Sequence, residues 1–93
     1  MKISITGVAG FIGSNLALAL LHRGYSIVGI DNMSQGCDEN LDDFRDHPNF
    51  SFHKINVEDE VKILEATRGS QVIVHLAVCR RAIRDSEIGD RLL

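Results

Sequence analysis

Three glycines spaced three residues apart, Gly7, Gly10 and Gly13, lie between a segment that reads as a strand and one that reads as a helix. Residues 2–6 (Lys-Ile-Ser-Ile-Thr) have strand composition, and from residue 11 to 23 Ile12, Leu16, Ala19, Leu20 and Arg23 keep the rhythm of one helical face. A strand that must turn at once into a helix needs these glycines for separable reasons. Gly7 permits a turn tight enough to leave the strand, Gly10 lets a ligand approach the backbone, and Gly13 lets the helix pack close to the sheet. The start of such a helix aims unpaired N–H groups and the positive end of a dipole at one point, which suits an anion such as a pyrophosphate.

The rest of the chain continues the alternation. His22 and Arg23 place positive charge in the last helical turn, and Gly24 is suited to the left-handed position that ends it. Residues 25–30 are apolar almost throughout, as a strand buried on both faces of a parallel sheet would be. Residues 31–49 are polar and turn-rich. A short helix is expected near 39–46, with Leu41 and Phe44 as its core contacts and Pro48 helping to stop it. Residues 50–55 alternate like a half-buried or edge strand. Residues 58–68 read as a helix with Val61 and Leu64 inward, closed by Gly69, and 71–76 as a fourth, strongly apolar strand. Residues 79–93 read as helical. Strands alternating with helices imply right-handed crossovers and a parallel sheet. The predicted fold class is therefore α/β: a partial Rossmann-type, doubly wound parallel sheet of about four strands in the order 3-2-1-4, with flanking helices. A length of 93 residues allows one domain, spanning 1–93.

Asp31 stands at the end of the second strand, close to the offset of ~20 residues at which an acid meets an adenosine ribose. A carboxylate there accepts from both ribose hydroxyls and repels a 2′-phosphate, and no Arg follows it directly, so NAD is expected in preference to NADP. The formal net charge of −3 argues against nucleic acid or an anionic membrane as the main partner. Cys37 and Cys79 form no Cys-x-x-Cys pair and have no His-x₃-His nearby, which argues against a zinc site and fits a reducing cytoplasm. No signal peptide is expected, and every apolar run is broken well before the ~20 residues of a membrane span.

Taken together, Thr6-Gly-x-x-Gly-Phe-Ile-Gly-Ser14, Asp31-Asn32-Met33-Ser34-x-Gly36 and Val72-Ile-Val-His-Leu-Ala77 resemble the NAD-dependent epimerase/dehydratase family, the extended branch of the short-chain dehydrogenase/reductases. The resemblance covers residues 1–78, and its members mostly act on nucleotide-activated sugars. It implies that Phe11 and Ile12 donate backbone N–H groups to the pyrophosphate. It places Asp31 and Asn32 at the adenosine ribose, with Ser34 and Gly36 in the loop beyond. Asn56 and Val57 match the position beside the adenine, where the family usually has Asp followed by an aliphatic residue, and Asn56 offers an uncharged acceptor instead. Leu76 and Ala77 would pass under the cofactor. Val78 replaces a usual small residue there and adds bulk. Cys79-Arg80-Arg81-Ala82-Ile83-Arg84 departs from the family pattern and reads as a solvated basic face, or as a phosphate contact for a nucleotide-sugar. His75, inside an apolar strand, and Cys79 read as structural.

The family's chemistry, as the resemblance implies, needs a Tyr-x-x-x-Lys pair and a Ser or Thr downstream of the fourth strand. The chain has one tyrosine, Tyr25, with Gly29 four residues on, so no catalytic residue is assigned. The expected function is the NAD-binding N-terminal portion of a nucleotide-sugar epimerase or dehydratase, truncated at the C-terminus and inactive alone. The alternatives are a stand-alone NAD(P)-binding regulatory or scaffold module, and half of an enzyme completed in trans. The Val72-Ile73-Val74 strand is expected at an open sheet edge, where it invites self-association.

Overall fold

Residues 1–77 are described by the computed structural model. The strand entering the glycine segment, β1, spans Lys2–Thr6, and the helix leaving it, α1, spans Phe11–His22. Strand β2 covers Ser26–Asp31, a 3₁₀ turn Asp38–Leu41, β3 Phe50–Lys54, α2 Glu60–Ala66 and β4 Val72–His75. The strands form a four-stranded sheet in the order β3-β2-β1-β4 with every neighbour parallel, as the α/β alternation requires. The residues of β1 pair with Ser26–Ile30 of β2 on one side, and Ile3–Thr6 pair with β4 on the other. The strand order reverses between β1 and β4, so the carboxyl ends of those two strands open on the crevice where doubly wound sheets bind ligands.

The sheet is covered on both faces. Ile3, Ile5 and Ile27 join Val8, Ala17, Leu21, Leu41, Phe44 and Phe50 in one buried cluster, with Phe44 and Phe50 edge-to-face at 4.9 Å. On the opposite face Ser4, Thr6, Val28 and Ile30 are also buried. Ser4 is fully buried, and its hydroxyl is bonded to that of Ser70 at 2.5 Å. Among the described residues no buried side-chain polar atom lacks a partner.

Gly24 and Gly69 end their helices in the left-handed region, at φ 89° and 83°. Three sequence expectations need correction. The residues that α1 buries are Gly13, Ser14, Ala17 and Leu21, whereas Ile12, Ala19 and Arg23 are exposed. The bulkier stripe loses because the helix must lie close against the glycine segment, and only the small residues of Gly13, Ser14 and Ala17 fit there. In α2, Val61 and Leu64 are exposed at 67% and 69%. Asp59 caps that helix by accepting from the Lys62 N–H at 3.2 Å, and the phase so set turns Ile63, Ala66 and Thr67 inward. The short helix expected near 39–46 is one 3₁₀ turn followed by irregular turns, although Leu41 and Phe44 are buried as anticipated.

Candidate functional site

Where the ends of β1, β2 and β4 meet, the chain encloses a cleft of about 280 Å³. Gly7 and Gly10 line one wall, Asp31, Asn32, Ser34, Gln35 and Gly36 a second, and Val57, Leu76 and Ala77 a third. No Lys or Arg is among these residues. A larger groove of about 580 Å³ runs past Asn56, Glu58, Asp59, Glu60 and Val61, but its three acids repel anions, and it is not where the glycines converge.

The glycine loop is built by steric need. Gly7 has φ 75°, and a Cβ on it would come within 2.9 Å of the Ala77 nitrogen, so a side chain there would push β4 away. A Cβ on Gly13 would overlap the carbonyl of Gly7. Gly13 therefore brings α1 against the loop that leaves β1, not only against the sheet.

The loop's backbone N–H groups divide into two sets. Gly7 and Val8 donate to the Ile30 carbonyl at 2.8 and 3.3 Å, Ala9 to Asp31 Oδ2 at 2.9 Å, and Gly10 to the Gly7 carbonyl at 3.1 Å. The first bond of the helical ladder runs from Ser14 to the Gly10 carbonyl at 2.9 Å. The amides of Phe11, Ile12 and Gly13 in between find no acceptor among the described residues, as the first turn of a helix dictates. These are the donors left for an anion. The side chains of Phe11 and Ile12, exposed at 79% and 69%, play no part in it.

Asp31 is only 8% exposed and is held by two backbone donors. Its Oδ2 accepts from Ala9, and its Oδ1 accepts from Met33 at 2.8 Å. One carboxylate thus joins the glycine loop to the loop after β2 and retains lone pairs that can accept from ribose hydroxyls. Asn32 Oδ1 accepts from both the N–H of Ser34 at 3.0 Å and its hydroxyl at 2.8 Å. Between them Met33 takes φ 66°, a conformation held by the bonds on either side. Gly36 lies close enough to Ala9 and Asp31 that a Cβ would collide with the Ala9 Cβ at 2.6 Å.

Other residues expected at the site are placed as follows. Val57 lies in the cleft. Asn56 lines the neighbouring groove, and its Oδ1 accepts from the Glu58 N–H at 3.1 Å. Leu76 and Ala77 are fixed through Thr6, a residue for which the sequence reading found no role. Thr6 Oγ1 accepts from their N–H groups at 3.0 and 3.2 Å and lies 2.8 Å from His75 Nδ1. The Leu76 N–H also donates to the Thr6 carbonyl at 3.2 Å, so Thr6 ties the end of β4 to β1 through both its backbone and its hydroxyl. Ala9 and Asn40 were also missed. The Ala9 carbonyl accepts from Cys37 N–H at 3.0 Å and from Asn40 Nδ2 at 2.8 Å, pinning the loop over the glycine segment. A small residue between two motif glycines was the only available signal for Ala9, and Asn40 had none. Val78, Cys79 and the basic run Arg80-Arg81-Arg84 lie outside the described residues.

Arg45 bridges Asp38 at 2.9 Å and Asp42 at 3.2 Å, and its bond to the Asp38 side chain raises its guanidinium above the ordinary arginine value. Among the described residues no cluster of His, Cys, Asp or Glu is arranged to hold a metal, and no helix is long and apolar enough to cross a membrane. The cleft can accept a phosphate at the start of α1 and a vicinal diol at Asp31.

Comparison with known proteins points the same way. The sequence model of the NAD dependent epimerase/dehydratase family matches residues 3–91. A UDP-glucose 4-epimerase of Mycolicibacterium smegmatis is 41% identical over 78 residues, 83% of this chain and 25% of that protein. Among solved structures, dTDP-glucose 4,6-dehydratase from Bacillus anthracis in complex with NAD superposes with TM-score 0.82 at 33% identity, over 91% of this chain and 29% of that one. A UDP-glucose 4-epimerase from Thermotoga maritima with UDP-glucose gives TM-score 0.73 at 32% identity, over 100% and 32%. The chain spans about a quarter of the length of the curated relatives it matches.

Proposed function

The chain belongs to the NAD-dependent epimerase/dehydratase family, and on that premise we propose that it is the NAD-binding N-terminal portion of an enzyme acting on nucleotide-activated sugars. One observation carries the reading: a single carboxylate, Asp31, is clasped to the glycine loop through Ala9, so the diol-binding acid and the anion-binding helix start face one cleft. The residues fit the cofactor. Gly10 leaves the approach a pyrophosphate needs, Gly7 and Gly13 set the turn and the helix contact beneath it, the amides of Phe11 and Ile12 are its donors, and Asp31 with Asn32 takes the adenosine ribose. Ser34 and Gly36 shape the loop beyond it. Val57, Leu76 and Ala77 form an apolar floor, with Asn56 beside the adenine end. NAD, when bound, supplies the hydride acceptor for oxidation of a sugar hydroxyl. The described residues orient it and exclude water beneath it.

NAD is the preferred form, because a buried carboxylate and a cleft with no Lys or Arg among its described lining residues disfavour a 2′-phosphate. The sugar-nucleotide class follows from the relatives, whose names carry UDP-glucose and dTDP-glucose. Cytoplasmic residence is in keeping with Cys37, which is exposed and free among the described residues. Among the described residues β4 lies at the sheet edge, with Val72 and Ile73 at 42% and 54% exposure, which supports self-association along that edge.

Calorimetric titration of the 93-residue chain with NAD and NADP tests the cofactor reading. Saturable NAD binding at least tenfold tighter than NADP is expected, and tighter NADP would refute the role of Asp31. Reading the coding DNA past Leu93 tests the enzyme class: continuation into a Tyr-x-x-x-Lys segment is the expected result.

A further inference from the structure

The loop after β2 treats its own donors unusually. Ser34 carries two, its N–H and its hydroxyl, and both point at one atom, Asn32 Oδ1, at 3.0 and 2.8 Å. The next donor back, the N–H of Met33, goes to Asp31 Oδ1 at 2.8 Å. Asn32 and Ser34 both line the cleft beside Asp31. A ribose diol and a 2′-phosphate ask opposite things of such a rim. A diol brings two protons and needs acceptors, whereas a phosphate brings only acceptor oxygens and needs donors or positive charge. With its proton committed to Asn32, Ser34 Oγ offers lone pairs only. The donors remaining on the side chains of that rim are the neutral amides of Asn32 and Gln35.

We propose that Asn32 is a specificity-determining residue that acts through Ser34: by occupying both Ser34 donors it keeps the rim accepting toward a ribose 2′-hydroxyl and closed to a 2′-phosphate. The discrimination is separate from the charge of Asp31 and adds to it. It rests on the reading that Asp31 marks the adenosine-ribose end of the cleft.

The test is titration of the 93-residue chain and its variants with NAD and NADP. Asn32→Ala removes the shared acceptor, and each released donor exchanges about one ordinary hydrogen bond, so the NAD-to-NADP affinity ratio falls about five- to tenfold. Asn32→Asp keeps the acceptor and adds charge, so its ratio does not fall. In Asn32→Ala with Ser34→Ala the hydroxyl donor is gone, so at least half of the NADP affinity gained in Asn32→Ala is lost again, while NAD binds no better than to Ser34→Ala. Ser34→Ala alone leaves the backbone bond to Asn32 in place. It weakens NAD severalfold while sparing NADP. An Asn32→Ala ratio equal to wild type, an NADP affinity as high in the double variant as in Asn32→Ala, or equal weakening of both dinucleotides by Ser34→Ala overturns the proposal while leaving the cofactor reading intact. Failure of the unaltered chain to bind either dinucleotide overturns both.

Discussion

Asparagine in place of Asp31 is nearly isosteric, yet it should cost the fold as well as the cofactor. The carboxylate is almost fully buried and accepts from Ala9 on one oxygen and Met33 on the other, at 2.9 and 2.8 Å. Hydrogen bonds to a charged acceptor contribute about 1.5–3 kcal/mol each. Asparagine keeps one of the two as a neutral bond and turns its NH₂ toward the other N–H, which is then left facing a donor. The net loss is about 2–4 kcal/mol, set against the roughly 5–14 kcal/mol expected for a domain of 93 residues. With an m-value of about 1.5 kcal/mol/M, the urea midpoint falls by roughly 1.3–2.7 M. Far-UV circular dichroism is the suitable probe, because the chain has no tryptophan. Asp43→Asn is the control: that residue is exposed, and its change stays within about 0.5 kcal/mol. A variant at position 31 that loses NAD binding but unfolds at the control's midpoint would refute the clasp.

Three other outcomes follow from the same geometry. Gly13→Ala puts a Cβ into the Gly7 carbonyl, and since both partners are backbone the helix must move; a loss of at least about 2 kcal/mol in urea titration is expected, with NAD binding abolished. Thr6→Val removes the hydroxyl that bonds Leu76, Ala77 and His75 and costs about 2–3 kcal/mol in urea titration, while Thr6→Ser retains most of the stability; equal losses in the two variants would show that the hydroxyl is not what holds β4 there. Val61→Lys and Leu64→Lys each change stability by no more than about 0.5 kcal/mol, because both side chains are exposed; a loss above 1 kcal/mol would show that they pack inward after all.

The alternation of elements and the two helix-ending glycines were legible from local pattern, because each depends on short-range chemistry, and the strand order followed from the right-handed crossovers that such an alternation implies. Residues 25–30 could be read as doubly buried from their apolar run alone, and β2 is buried from Ile27 to Asp31. Gly7, Gly10, Asp31, Asn32, Ser34, Gly36, Val57, Leu76 and Ala77 do line one cleft, as their motif positions suggested. The helix faces were not legible. Periodicity finds an apolar stripe but not the side of the helix that comes closest, and in α1 three small residues decided that against Ile12.

The glycine segment shows where the division falls. Its spacing between strand and helix was enough by itself to identify a turn that exposes helix amides to an anion, since backbone freedom and the helix dipole are properties of the local chain. Which amides remain for that anion was a tertiary decision. Ile30, 20 or more residues away, takes the N–H groups of Gly7 and Val8, and Asp31 takes that of Ala9, leaving Phe11, Ile12 and Gly13. Those partners come from β2, and only sheet pairing brings them beside the loop, because hydrogen bonding is settled by what lies within about 3.5 Å and not by what lies near in sequence.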